Sequence, residues 1–381
     1  MFDHLLTDEQ RAFKQNVRKF AEKEVAPQAA EADEKAEFNR PLFDKIKELG
    51  LFGICYSEEY DGAGEGLLST ALVIFELAKA CGATGMGLAA HYLGTDAISH
   101  YGTDEQKRRY LSPLALGEKL AAFALTEPGA GSDVSGVQTS AKLMGDEYVI
   151  NGNKIFITNG GEADTYVVFA RTGGVAGAKG LSAIIVEKGT PGFNFGKKED
   201  KMGMRGSVNR ELIFEDCHVP IGNRLGKEGQ GFEIAMKAID AGRIVTAAYA
   251  LGVAQAAMED ALKYSRERVQ FGKQICEFQG IQFMLADMRT GIDSAKLLIY
   301  NAAIKADQGL PFSVEASLAK LVASDVAMKV TVDAVQIYGG YGYMKEYPVE
   351  RHMRDAKLTQ ILEGSNQIMR VVIARDMIKN M

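Results

Sequence analysis

The chain reads as an α+β protein in three parts. An N-terminal helical domain is expected over residues 1–120, a central antiparallel β-barrel or sandwich domain over 121–230, and a C-terminal four-helix-bundle-like domain over 231–381. Three observations predict this. Apolar residues recur with the 3.6-residue period of a helix in the first and last thirds. The middle third instead carries short runs rich in Val, Ile, Phe and Tyr between turn signals. Finally, 381 residues exceed what one ordinary core accommodates, so length alone suggests two or three domains.

The elements follow in order. Thr7 and Gln10 have capping-box spacing, and Phe13, Val17, Phe20 and Ala21 then fall on one helical face. Pro27 is expected to close that helix. A second helix is predicted from about Pro41, with Leu42, Ile46 and Leu49 as its stripe and Gly50 as its stop. A second capping box, Thr103 to Gln106, starts a short helix ending near Gly117. Strands are predicted at 148–150, 154–158, 166–170, 182–186 and 211–214, with Asn151-Gly152 as a hairpin turn. Strands without helices between them favour an antiparallel arrangement. From about Gly231 long helices return. Phe232, Ala235, Met236 and Ile239 share one face, as do Leu318, Val322, Val326 and Val330, and helices of that length can form a bundle.

Composition excludes several classes of function. The net charge of −6 and the absence of a Lys/Arg-rich block argue against nucleic-acid binding. The five histidines show no His-x-x-x-His or His-Glu-x-x-His spacing, so no metal is expected. Cys55, Cys81, Cys217 and Cys276 lie far apart, which indicates neither a zinc site nor a disulfide framework. A reducing, cytoplasmic setting fits them best. The residues from Met1 to His4 open into a polar helix without the apolar region of a signal peptide. Glu76 interrupts the apolar run 71–78, and no run approaches the ~20 residues of a membrane span.

Four segments could carry chemistry. In FALTEPGAGSD (123–133), Gly129 and Gly131 let backbone amides approach a ligand, and Thr126 and Ser132 add hydroxyls. Such a loop could cradle a pyrophosphate, although an ordinary turn between helix and strand is the plainer reading. In IFITNGG (155–161), Phe156 could wall a flat cofactor and Thr158 could bond its edge, or the segment is a strand with a glycine turn. In RERVQFGK (266–273), Arg268 could hold a phosphate and Gln279 could read an adenine. A helix C-terminus stopped by Gly272 is the plainer reading. In ILEGSNQ (361–367), Glu363 sits in an apolar stretch, where desolvation would raise its pKa toward that of a general base. A helix-terminal Glu in water is the commoner case.

Together, in this order and spacing, these stretches resemble the acyl-CoA dehydrogenase family. LTEPGAGSD, ITNGG, RVQFGK, QIYGGYG (336–342) and RDAK (354–357) before EGSN carry the resemblance, which spans essentially the whole chain. It implies an α–β–α fold, FAD as cofactor, an acyl-CoA substrate, an electron-transferring flavoprotein as acceptor and a homotetramer. Phe123, Leu125 and Thr126 would lie against the flavin. Gly131 and Ser132 would meet the pyrophosphate, with Ser132 also near the CoA. Phe156 and Thr158 would cover the other side of the ring, with Thr158 near its N5. Arg268, Gln270, Phe271, Gln279, Gln336, Gly339 and Gly340 would serve a neighbouring subunit's FAD. Ser365 and Gln367 would hold the adenosine half. Ile239, Asp240, Arg243, Leu362 and Gly364 would touch the acyl-CoA. Glu363 would take the α-proton while the β-hydride passes to flavin N5.

Some positions refine the expectation. One branch of the family carries its base at the position of Gly242, which here has no side chain. Leu362 stands where the family usually has Tyr or Phe, which suggests room for a branched or alicyclic acyl group. His91 falls on a helix that lines the acyl pocket in relatives, so it is a candidate substrate contact or a core histidine. Thr84 stands where dicarboxylyl-CoA relatives carry Arg, which argues against glutaryl-CoA. The competing readings are an enoyl-CoA reductase or oxidase of the same fold, a flavin-binding protein that protects nucleic acid, and a helical protein without cofactor.

Overall fold

The computed structural model describes residues 3–380. Met1 and Phe2, part of the N-terminal stretch read above, lie outside the described residues. The architecture is helical, then β, then helical, around one continuous apolar core.

The N-terminal part opens with α1 (Asp8–Phe20). The Thr7 hydroxyl accepts from the Gln10 N–H at 3.2 Å, and the Gln10 amide oxygen accepts from the Thr7 N–H at 3.1 Å. That reciprocal pair satisfies two N–H groups that the first turn leaves free. Pro27 does not end the helical path. The chain continues through a π turn (Ala21–Val25) and a 3₁₀ turn (Ala26–Gln28) into α2 (Ala29–Lys35). Pro27 sits at the start of its turn, where a missing N–H costs nothing. Ala36, at φ 52°, is the stop.

In α3 (Arg40–Glu48), Leu42, Phe43 and Ile46 are buried. Leu49 lies past the helix end and is exposed, so it is not part of the stripe. The next helices, α4 (Leu67–Ala80) and α5 (Gly82–Tyr101), are buried along most of their length. Glu76 is itself buried in α4, where Arg18 pairs with it at 2.8 Å. The short α6 (Asp104–Gln106) and α7 (Ser112–Ala115) lead to the sheet.

The strands are β1 (Ala121–Ala124), β2 (Ser140–Met144), β3 (Glu147–Thr158), β4 (Thr165–Arg171), β5 (Leu181–Glu187), β6 (Phe193–Lys198), β7 (Asn209–Pro220) and β8 (Arg224–Leu225). Seven run in the order β6-β7-β3-β2-β4-β5-β8, and β1 pairs with β4. Pairing is antiparallel except β1 with β4 and one residue pair between β2 and β4. The central part is therefore one mixed sheet rather than an all-antiparallel one.

Asn151-Gly152 is not a hairpin. The flanking runs are one strand, β3, with a bulge against β7 between Ile150 and Gly152. Gly152 has φ 141°, and a Cβ there would come within 2.7 Å of Thr139 Oγ1, so only glycine fits. The β2–β3 turn lies earlier, at Gly145-Asp146, with Gly145 at φ 63°.

The last part is built on α8 (Gly231–Glu267), followed by α9 (Gln279–Asp307), α10 (Ser313–Tyr338), α11 (Val349–Thr359) and α12 (Asn366–Lys379). A small hairpin, β9 (Val269–Gln270) and β10 (Lys273–Gln274), joins α8 to α9. The central helix α8 packs against α4 and α5 as well as α9 and α10, so the two helical parts share one interior. Among the described residues no helix is long and apolar enough to cross a membrane.

Candidate active site

Glu363 lies in the turn between α11 and α12 and has φ 52°, with Gly364 at φ 93° behind it. Two successive left-handed residues make a sharp reversal that projects the Glu363 side chain inward. Glycine is favoured at 364, because L side chains rarely adopt a φ of 93°. The carboxylate comes to rest over Gly242 of α8. A Cβ at 242 would lie 2.6 Å from Glu363 Oε2 and 3.0 Å from Leu93 Cδ1 of α5. The backbone of one helix thus makes the room that the acid occupies.

The electrostatics hold the Glu363 carboxyl well above the usual carboxylate range. Glu363 Oε2 is buried and has no hydrogen-bond partner. Desolvation pushes the carboxyl up to about 7, against the pull of the Thr246 hydroxyl, Lys320 and Arg243. The Thr246 hydroxyl lies close enough to favour the ionised form, yet neither it nor Oε2 completes a hydrogen bond. Arg243 is buried and bonds Asp240 at 2.6 Å, while its Nε is unpartnered. Ser313 donates to Asp240 at 2.9 Å. Ile239 is buried beside this pair, and Leu362 is half-buried against the core. An unpaired acid, an unpaired hydroxyl and an unpaired guanidinium nitrogen around one point mark a place built for a polar ligand.

The sheet reaches the same place through α5. Next to Leu93, Gly94 packs on Ala121 and Ala122 of β1, which continues into residues 123–126. Two buried side chains fix that loop. Lys154 of β3 is fully buried, and its ammonium donates to the Leu125 carbonyl at 3.0 Å and to Glu127 at 2.8 Å. Glu127 accepts in addition from the Gln138 and Thr139 N–H groups at 2.6 and 2.9 Å. Burial lowers the Lys154 ammonium to about 8, opposed by Glu127. The Ile155 N–H bonds the Thr126 carbonyl at 2.9 Å, which ties the first glycine-rich segment to the second.

On that second segment Phe156 is 60% exposed at φ 59°. The Asn209 amide donates to the Phe156 carbonyl at 2.9 Å and to the Thr158 hydroxyl at 3.0 Å. A Cβ at Gly129 or Gly131 would meet nothing within 4 Å, so that backbone stands open to a ligand, with Ser132 exposed beside it. An uncovered aromatic ring next to an open glycine loop fits a flat nucleotide cofactor. Phe123 and Leu125, by contrast, are largely packed into the interior.

His91 belongs to the core and not to a pocket wall. It is fully buried, accepts from the Ala121 N–H at 3.1 Å and lies edge-on to Phe52 at 4.9 Å. Burial lowers it to about 3, so it is neutral. Ser365 caps α12, its hydroxyl accepting from the Ile368 N–H at 3.4 Å, and Gln367 is exposed.

Arg268, Gln270, Phe271, Gln279, Gln336, Gly339 and Gly340 cluster elsewhere. Arg268 stands over the Tyr341 ring at 5.5 Å, which brings the β9–β10 hairpin to the glycine turn after α10. Phe271 is 95% exposed. Arg268 lies one residue past α8, about 39 Å from Gly242 at 1.5 Å per residue. Sequence reasoning missed Lys154, Thr246, Lys320 and Asn366. The available signal was a lysine in an apolar run: Lys154 in a predicted strand, and Lys320 beside the stripe of α10.

Comparison with known proteins shows the family. The family profiles for acyl-CoA dehydrogenase match as N-terminal domain over residues 7–118, middle domain over 122–217 and C-terminal domain over 229–378. The short-chain-specific acyl-CoA dehydrogenase of Clostridium acetobutylicum is 53% identical over 98% of both chains. Butyryl-CoA dehydrogenase from Megasphaera elsdenii superposes with a TM-score of 0.96 at 51% identity, covering 98% of this chain and 99% of that one. A chain solved in work on the electron transferring flavoprotein of Acidaminococcus fermentans gives a TM-score of 0.96 at 54% identity over 98% of both. With all three of its domains matched in order, this chain belongs to the acyl-CoA dehydrogenase family of flavoprotein oxidoreductases.

Proposed function

We propose that this enzyme carries out FAD-dependent α,β-dehydrogenation of a short-chain, branched or alicyclic acyl-CoA, with Glu363 as the base. The observation that carries the reading is the buried, unpartnered Oε2 of Glu363, lodged in the space that Gly242 leaves open. Phe123, Leu125, Thr126, Gly131, Ser132, Phe156 and Thr158 would hold the flavin half of the cofactor. Bound FAD supplies the two-electron acceptor for the β-hydride. Glu363 Oε2 removes the α-proton, and its elevated pKa matches it to that task near neutral pH. Arg243 and Asp240, with the turn at Leu362 and Gly364, would position the thioester. Leu93 beside Gly242 and the burial of Oε2 keep water from the carboxylate, which strengthens each of these interactions.

Glu363→Gln tests the role of the base. It is expected to retain FAD and to lose at least about 100-fold in turnover; near-normal turnover would refute the assignment. Anaerobic flavin bleaching by butyryl-, isobutyryl-, cyclohexanecarboxyl- and hexanoyl-CoA would name the acyl group. Electrons would leave to an electron-transferring flavoprotein, in a cytoplasmic setting that suits four unpaired cysteines.

The assembly proposed is a homotetramer in which Arg268 and its neighbours complete another subunit's FAD site. The length of α8 supports it. A cluster about 39 Å from Gly242 is badly placed to share one cofactor with Glu363 of its own chain.

A further inference from the structure

We propose that Lys320 and Thr246 are positioning residues for Glu363, Lys320 mooring the turn that carries it and Thr246 standing beside its carboxylate from α8. This rests on the reading of Glu363 as the base. Lys320, on α10, is fully buried, which for a lysine demands a purpose. Its ammonium donates to the Gly364 carbonyl at 2.7 Å and to Asn366 Oδ1 at 2.9 Å. It therefore grips the left-handed turn immediately behind Glu363.

The grip is reinforced. Asn366 donates to Ser324 at 2.9 Å and to Asp325 at 2.7 Å, and its N–H closes the turn on the Gln360 carbonyl at 3.0 Å. Gln360 donates to Asp325 as well, at 2.7 Å. The turn that carries the base is thus moored to α10 through one ammonium and one carboxylate.

Thr246 approaches from α8. It stands one turn beyond Gly242 on α8, is buried, and its hydroxyl has no hydrogen-bond partner. A hydroxyl in an apolar interior is ordinarily satisfied. This one lies beside the equally unsatisfied Oε2, so a small rotation of either side chain would join them. The charged groups around Glu363 are Lys320 from α10 and Arg243 from α8, the latter bound to Asp240. Asp325, on the helix of Lys320, is occupied by Gln360, Asn366 and Arg370. From α5 comes the apolar Leu93. Lys320 and Thr246 both favour the ionised carboxylate, against the burial that opposes it.

The test is the pH profile of kcat/KM, whose acidic limb reports the base in the free enzyme. Lys320→Gln keeps a donor for Gly364 but removes the charge. Its limb is expected to move up by about one pH unit, close to a tenfold loss on the acid side that is recovered at high pH. Thr246→Val preserves shape and removes only the hydroxyl, and its limb is expected to move the same way by a smaller amount. A role in folding alone would lower activity equally at every pH. Limbs unmoved in folded, flavin-loaded variants overturn the proposal. Should Lys320→Gln not accumulate as flavin-loaded protein, Thr246→Val decides it. Glu363→Gln separates the two claims. If it stays active, the base reading falls; if it is inactive while the limbs stay in place, only this inference falls.

Discussion

Glu363 and Gly242 divide one space between them. A side chain at 242 would push the carboxylate of 363 from its place, since the Cβ alone would come within 2.6 Å of Oε2. Gly242→Ala is therefore expected to displace the base and lower kcat/KM by about 100-fold with flavin retained; unchanged kinetics would show that the acid has room to move. The same crowding makes the base costly to the fold. Its pKa is about 7 in the native state against 4.5 as the ordinary value. The native state keeps a proton that the unfolded chain gives up, so stability falls as pH rises from about 4.5 through about 7. Glu363→Gln, which cannot ionise, should melt at a higher temperature than wild type at pH 8, with the difference vanishing near pH 4. Equal melting temperatures at pH 8 would contradict the burial argument.

At the scale of elements, β3 and α8 do most to place the site. The first carries Lys154, Phe156 and Thr158 on one strand, and its bulge at Gly152 follows from the close approach of Thr139. The buried Lys154–Glu127 pair joins β3 to the loop after β1. Lys154→Met should destabilise the fold by about 3–5 kcal/mol, because Glu127 would be left charged and buried without its partner. It should also weaken FAD binding, since the Leu125 carbonyl loses its anchor. Thermal melts and FAD titration of the apoprotein would check both, and a variant with normal FAD affinity would limit Lys154 to the interior. In its turn, α8 carries Asp240, Gly242, Arg243 and Thr246 near one end and leads to Arg268 at the other.

At the scale of the whole molecule, that helix would separate the two proposed half-sites. Arg268, over the Tyr341 ring, and an almost fully exposed Phe271 stand at a hairpin on the surface of the chain. Arg268→Ala is expected to release FAD without changing the far-ultraviolet spectrum, and Phe271→Ser to shift the assembly toward smaller species in light scattering. A monomer that retains FAD would show that one chain completes its own site.

The order of helices, strands and helices was legible because hydrophobic period is a local property, and the capping boxes at Thr7 and Thr103 could be read from spacing alone. Glu363, Gly242 and the glycine-rich segments were legible as types in a pattern. Local rules failed where a distant partner decided. Asn151-Gly152 has the composition of a hairpin but lies opposite β7, whose pairing continues past it through a bulge. Pro27 sits where a turn tolerates it, so the helix bends on instead of ending. His91 could be read as a substrate contact or a core histidine, and the Ala121 N–H that it accepts, supplied by β1, places it in the core. The sequence by itself determined which residues could act as base, wall and cradle. Only the tertiary structure decided that Lys320 and Thr246 flank the base, because a pKa depends on what lies within a few ångströms in space and not along the chain.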